Sequence, residues 1–313
     1  GVFAFLFLNK RFTFDACYIN SWPLFSTFLI TNRLKKKKIK YIYSVQDLYP
    51  ETLVIKGIIR RGGWLYKVFK KIERHICSES SMVVAISKSF KEYLVNEIGV
   101  ERQRVKVIPN WSSEEVKLED PTSSWAKLSE MGIRHDGFNL FLGFGGNISA
   151  STGILEFVKF YLRSTWTSKL IIAGSGSVVK KIKELARQDN RIDLLSPWPK
   201  DLSNSFYSIC NILILPVPSG QEHGSVPSKL LNYINTDKPI FCICDSDCEI
   251  TRMLESYEPS LITSWSDLEN ITYSKIEELS TGQYLKIQSA NKDILNDDLS
   301  SLSELTQEVL NVQ

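Results

Sequence analysis

Short apolar runs and amphipathic stretches take turns along this chain, and no other feature narrows the fold so far. Runs at 15–19, 39–45, 82–86 and 105–108 have the length and composition of buried strands, and helical patterns fill 25–34, 64–77 and 88–97 between them. A polar, turn-rich passage from Pro109-Asn110-Trp111-Ser112-Ser113 to Pro121-Thr122-Ser123-Ser124 interrupts the series. The alternation then resumes, with strands expected at 140–145, 169–173, 191–195, 212–215 and 239–244, and helices at 153–162, 177–188, 200–209 and 227–235. Strand and helix in turn build parallel sheets, because a parallel connection must cross back over the sheet and a helix does so compactly. The expected fold is therefore α/β, with two Rossmann-like domains and a cleft between them. Residues 1–112 make the first domain, 113–135 the linker and entry to the next, and 136–313 the second domain with C-terminal helices. Ligands of open parallel sheets sit outside the carboxyl ends of the strands, so the loops after Gly143, Ala173 and Leu215 should converge.

Composition excludes several classes. With 313 residues and 43% hydrophobic content, the chain can bury two cores. Its net charge of +3 is too small to call for nucleic acid, and no recognised nucleic-acid motif accompanies the basic residues. Most of that positive excess lies before residue 110, and the stretch from Asp293 is acidic. Six cysteines without a secretory signal or regular spacing point to a reducing, cytoplasmic compartment. Cys242, Cys244 and Cys248 cluster, but no histidine is near them in sequence, and His75, His135 and His223 are scattered, so no metal site is expected. No run reaches the roughly 20 apolar residues of a membrane span, and any membrane contact is expected to be peripheral. The opening Gly1-Val2-Phe3-Ala4 has the form of neither a complete signal peptide nor a natural start, which suggests a fragment beginning inside a domain.

Chemistry concentrates in the second half. Gly224-Ser225-Val226-Pro227-Ser228-Lys229-Leu230-Leu231-Asn232-Tyr233 follows an apolar strand and has the form of a polar loop running into a helix. Pro suits the first helical turn, Ser is a capping residue, and Lys229 adds a cation beside free N–H groups, a combination fit for a diphosphate. Gly145, Gly146 and Asn147 end one strand, and Gly174 and Gly176 end the next, where bare backbone can approach a phosphate. Each glycine cluster alone is equally a tight turn. Three such loops in one domain make a stronger case.

Taken in order, Gly145-Gly146-Asn147-Ile148, Ala173-Gly174-Ser175-Gly176, Ile214-Leu215-Pro216 and Val226-Pro227-Ser228-Lys229, followed by Lys238-Pro239, resemble family 4 glycosyltransferases. The bacterial O-antigen and capsule enzymes, including the N-acetylfucosamine transferase type, are closest in pattern. In the first half, Gln46-Asp47-Leu48-Tyr49-Pro50 resembles that subgroup's Asp-Leu-Trp-Pro motif, and Ile108-Pro109-Asn110-Trp111 its interdomain entry. The resemblance implies a GT-B fold, a UDP-sugar or similar donor in the second domain, retention of anomeric configuration and no catalytic metal. It assigns Lys229 to the leaving diphosphate and Asp47 to the acceptor or sugar, both as catalytic candidates. Gly145, Gly146, Asn147, Gly174, Gly176, Glu222, Ser228 and Asn232 become the donor-binding candidates. The chain departs from the family pattern where two glutamates with seven residues between them are usual: those places hold Gly224 and Asn232, with Glu222 two positions early. Asn147 and Ser151 or Thr152 also stand where relatives carry basic residues, so positive charge at the phosphates rests on Lys229.

The basic first half suggests a surface as well as a site. Leu65, Phe69 and Ile72 recur at helical spacing within 58–76, beside Lys67, Lys70, Lys71 and Arg74, with Trp64 and Tyr66 as interfacial aromatics. Together with Lys35-Lys36-Lys37-Lys38 they predict peripheral contact with an anionic membrane, at its inner face, where the resemblance implies a polyprenyl-diphosphate-linked acceptor. The expected function is a retaining glycosyltransferase of surface-polysaccharide synthesis. A sugar-nucleotide epimerase of the same fold and a non-catalytic nucleotide-sugar binder are the alternatives.

Overall fold

In the computed structural model, the residues described are 15–55, 57–108, 116–220, 227–245, 248–255, 257 and 259–281. Contacts divide the chain into two compact units, one holding the described residues up to 108 and the other those from 116 onward.

The first unit is a four-stranded sheet in the order β1 (Ala16–Asn20), β2 (Lys40–Val45), β3 (Met82–Ala85), β4 (Val105–Val107). Every pairing is parallel, with Ala16 opposite Lys40, Ile42 opposite Met82 and Val83 opposite Val105. Helices α1 (Leu24–Lys36), α2 (Glu51–Ile55), α3 (Trp64–Glu79) and α4 (Lys88–Tyr93) make the connections. Strand β3 is buried along its whole length, as a strand covered on both faces must be. Polar ties fix α3 to the sheet: Tyr41 donates its hydroxyl to the Ile76 carbonyl at 2.8 Å, and Tyr43 reaches the buried Glu73 carboxyl at 3.0 Å. Arg104 closes the end of α3 by donating to the Cys77 carbonyl at 2.9 Å, satisfying an acceptor that the helix leaves over.

The second unit carries a six-stranded parallel sheet. Its strands are β5 (Phe141–Asn147), β6 (Lys169–Ser175), β7 (Ile192–Leu195), β8 (Ile212–Pro216), β9 (Ile240–Ile243) and β10 (Ser260–Thr263), in spatial order β10-β9-β8-β5-β6-β7. Helices α5 (Pro121–Glu130), α6 (Ile154–Arg163), α7 (Val179–Ala186), α8 (Ser203–Ile209), α9 (Ser228–Ile234), α10 (Glu249–Glu255) and α11 (Tyr273–Thr281) accompany it. An aromatic core of Phe157, Phe160, Tyr161, Trp166 and Phe241 packs α6 onto one sheet face. The strand order reverses between β5 and β8, which makes that boundary the topological switch point. Register shows how it opens. Strand β5 stays paired with β6 as far as Asn147 opposite Ser175, but with β8 only at Leu142 and Gly143. Beyond Gly143 the two strands part.

The sheets meet the α/β expectation, and three local readings change. Residues 121–124, read as turn-rich, begin helix α5, where Asp120 accepts the Ser123 N–H at 2.9 Å and Pro121 takes the first position. Serines scored as turn formers are here the first turn of a capped helix. The helix expected over 88–97 widens after Tyr93 into a π-helical turn, Leu94–Ile98, closed by Gly99 at φ 88°. The third change concerns α3. Phe69 and Ile72 pack, partly buried, against the core, and the Tyr66 hydroxyl turns to Glu51 at 2.7 Å. Apolar side chains facing solvent include Trp64, Leu65 and Val68 on α3, and Trp22, Phe25 and Leu29 at or on α1.

Candidate functional site

The carboxyl ends of β5 and β6 and the first turn of α9 bring six predicted positions together: Gly145, Gly146, Asn147, Gly174, Gly176 and Lys229. Gly146 adopts φ 116°, a conformation that glycine reaches without cost. A Cβ there would lie 3.4 Å from Cε of Lys229, so the bend of β5 and the first turn of α9 are in direct contact. Gly174 leaves room for the Gly146 carbonyl, and Gly176 for that of Ile148; any side chain at either would collide with backbone. The Ile148 N–H donates to the Ser175 carbonyl at 2.9 Å, and the Val178 N–H to the Ile148 carbonyl at 3.1 Å. Two glycine loops therefore nest, and Asn147 stands exposed at their rim, its amide donating to Ser149 Oγ at 3.2 Å.

Lys229 is the charged member. Its Nζ lies 3.3 Å from the centroid of the Phe144 ring, and Phe144 is fully buried. Among the described residues it has no ion-pair partner. Burial disfavours the ammonium and lowers the pKa of Lys229 to about 7. The contact with the negative face of the ring offsets part of that cost. Here is a part-buried cation beside a bare glycine bend, with no ion-pair partner among the described residues.

Tyr233, one turn further along α9, was missed by the sequence reading. Its hydroxyl accepts the Gly145 N–H at 3.0 Å, and the side chain is wholly buried. That bond fastens α9 to the end of β5 and occupies the Gly145 amide, so Gly145 shapes the bend. Helical spacing was the available signal, since Lys229 and Tyr233 at i and i+4 must share a face. Phe144 gave no signal beyond its place in an apolar strand.

The remaining candidates lie elsewhere. Pro227 precedes the first turn of α9 and no side chain caps it, so Ser228 is an exposed first-turn residue. With seven residues, α9 has little dipole to offer, and the lysine carries the charge. Asn232 is half-buried and lines a separate hollow of about 240 Å³ with Tyr207, Asn204, Ser203 and Lys200. Asp47 belongs to the first unit, on the loop at the carboxyl end of β2, where the N–H groups of Gln46 and Asp47 donate to Ser21 Oγ at 3.0 and 3.4 Å. Glu222 lies outside the described residues. Among the described residues, no group of three or more His, Cys, Asp or Glu is placed to hold a metal ion.

Comparison with known proteins bears on the fold. Residues 2–113 match the Glycosyltransferase Family 4 model. The probable glycosyltransferase WbjE of Pseudomonas aeruginosa is 22% identical over 218 residues, which cover 69% of this chain and 54% of WbjE. The chain thus spans about half the length of that curated relative. Among solved structures, Anabaena Alr3699/HepE in complex with UDP superposes at a TM-score of 0.71 and 13% identity, over 96% of this chain and 82% of HepE. A glycosyltransferase from Rickettsia africae gives 0.70 at 17% identity, over 99% and 81% of the two chains. The fold is that of GT-B glycosyltransferases, in agreement with the order of motifs in the sequence.

Proposed function

We propose that this protein is a retaining glycosyltransferase that takes a sugar from a nucleoside diphosphate, most simply UDP, and passes it to a lipid-linked saccharide. The observation that carries the proposal is Lys229: a part-buried ammonium with no ion-pair partner among the described residues, in contact with a glycine bend, at the switch point of a Rossmann-like sheet. A diphosphate supplies an anion to such a group. HepE binding UDP, and UDP-glucose in a further structure, supports the same donor class.

In this reading the bond between the anomeric carbon and the β-phosphate oxygen breaks while negative charge builds on the diphosphate. Lys229 stabilises that charge as it forms, and does so without a catalytic metal. The acceptor hydroxyl attacks from the face the diphosphate leaves, and its proton passes to a diphosphate oxygen. No protein carboxylate serves as nucleophile. Asn147, exposed at the rim of the glycine bend, contacts the phosphates. Asp47 orients the acceptor.

The lipid-linked acceptor draws support from the surface of the first unit. Trp22, Phe25, Leu29, Trp64 and Val68 are between 42% and 73% exposed, and Lys36, Lys37, Lys67 and Arg61 are basic residues on the same elements and their connections. Amphipathic aromatics beside cations suit the inner face of an anionic membrane. No helix among the described residues is long and apolar enough to cross one. The similarity to WbjE is consistent with work in O-antigen synthesis.

Incubating the protein with a panel of UDP-sugars tests the proposal. Sugar transfer, or slow hydrolysis without acceptor, is the expected result, and Lys229→Ala should lower kcat/KM by about a hundredfold or more. Interconversion of sugars would instead make it an epimerase, and binding without turnover a non-catalytic binder.

A further inference from the structure

The end of β9 carries chemistry that sugar transfer does not use. Cys244 follows the strand and donates its N–H to the Thr263 carbonyl at 2.8 Å. Cys248 stands just before α10, where its N–H donates to Thr251 Oγ1 at 2.9 Å and that hydroxyl donates back to the Cys248 carbonyl at 2.8 Å. The two Sγ atoms are 3.5 Å apart, and the residues are only 4% and 3% exposed. A disulfide needs about 2.05 Å, so a small approach of the sulfurs would close it.

We infer that Cys244 and Cys248 form a reversible dithiol–disulfide site that acts on the connection after β8 at Val217 and Ser219. The link to that connection is Asp245, the neighbour of Cys244. One of its carboxylate oxygens accepts the Trp265 N–H at 2.6 Å and the other accepts the Ser219 hydroxyl. The Trp265 indole N–H in turn donates to the Val217 carbonyl at 2.6 Å. Val217 and Ser219 lie on the connection from β8 to α9. Pulling Cys244 and Cys248 together therefore shifts the carboxylate that holds this connection at two points, directly through Ser219 and indirectly through Trp265.

The pair is also chemically prepared. Burial pushes the Cys210 thiol up to about 12 and raises Cys77 as well, whereas Cys248 is pulled down to about 6 by the Cys244 S–H and by backbone N–H groups of Thr251 and Ile250. Cys248 is the thiolate and Cys244 the neighbour that resolves it. With hydrogen peroxide as oxidant, Cys248 sulfur attacks one oxygen, the O–O bond breaks, and a sulfenic acid forms as hydroxide leaves and takes a proton to become water. The Cys244 sulfur then displaces the second oxygen as water, its own proton accompanying it, and the S–S bond forms. Two electrons pass from sulfur to peroxide, and a dithiol reductant returns them.

The regulatory half of this inference rests on the nucleotide-sugar reading above; formation of the disulfide does not. The test treats the full chain with dilute hydrogen peroxide, counts alkylatable cysteines, and maps the non-reduced peptides by mass. The expected result is a loss of two titratable thiols, mapped to Cys244 and Cys248, and a roughly tenfold weaker UDP affinity by calorimetry, restored by dithiothreitol. Cys244→Ser and Cys248→Ser should bind UDP as the reduced protein does and ignore peroxide. Six alkylatable thiols after treatment, or a disulfide elsewhere, would overturn the site. A Cys244–Cys248 disulfide with unchanged UDP affinity would overturn its action on that connection. Should the reduced protein bind no UDP at all, the donor reading fails, and the thiol count still judges the site.

Discussion

Lys229 shows how one side chain takes its chemistry from its surroundings. The same lysine on an open surface would stay charged throughout the neutral range, whereas here burial brings its titration to about pH 7. Above that pH the free protein increasingly holds a neutral amine, which attracts a diphosphate poorly. The affinity for a UDP-sugar, whose diphosphate diester does not titrate in this range, should be greatest below about pH 7 and decline as the pH rises through it. Since the bound anion favours the ammonium, binding near that midpoint should take up a proton, visible as a dependence of the calorimetric heat on buffer ionisation. Lys229→Ala should bind weakly at every pH and show no uptake. A pH profile unaltered by the substitution would transfer the role to another group.

Between helix α3 and strand β2, Glu73 makes a comparable point for an element contact. It is 1% exposed, and burial pushes its carboxyl up to about 8, against an ordinary value of 4.5. The folded state therefore holds this proton more tightly than the unfolded chain. The stabilisation is complete below the unfolded value and is lost as the pH rises through about 8. Chemical denaturation of the chain should show a decline on the order of 2 kcal/mol between about pH 6 and about pH 8, and Glu73→Gln should remove most of it. Equal slopes in both proteins would mean that Glu73 is more accessible to water than its packing shows. The sequence marked α3 as amphipathic but misplaced its outward face, because periodicity identifies a stripe and not the depth at which each member sits. Glu73 lies among the charges of that helix in sequence and is sealed under it in space.

For the molecule as a whole, the consequence of that corrected face is measurable. Exposed Phe25, Leu29, Trp64 and Val68 represent apolar area that a soluble surface normally covers, and nearby basic residues each contribute about 1 kcal/mol near an anionic surface. The protein should co-sediment with vesicles containing phosphatidylglycerol and should not do so with pure phosphatidylcholine. Binding should weaken at about 0.5 M salt, where the Debye length falls to a few ångströms. Phe25→Ser combined with Trp64→Ser should reduce it about tenfold or more while leaving UDP binding unchanged. Retention of full vesicle binding by the double variant would remove this face from the proposal.

The sequence determined the architecture: alternating apolar and amphipathic segments admit little besides parallel α/β units, and the period of each segment is a local property that needs no partner to be read. It also placed Gly145, Gly146 and Lys229 at the ends of elements, because glycine, proline and capping preferences act within a few residues. Tertiary structure decided which of these positions meet. That Tyr233 occupies the Gly145 amide, that Phe144 underlies the ammonium, and that Asn232 faces a different hollow depend on how α9 lies against β5 and α8. The opening itself arises because β5 pairs with β8 for two residues and then departs. Burial and register are relations between distant segments, so the charge state of Lys229 and Glu73 came into being only when those segments packed.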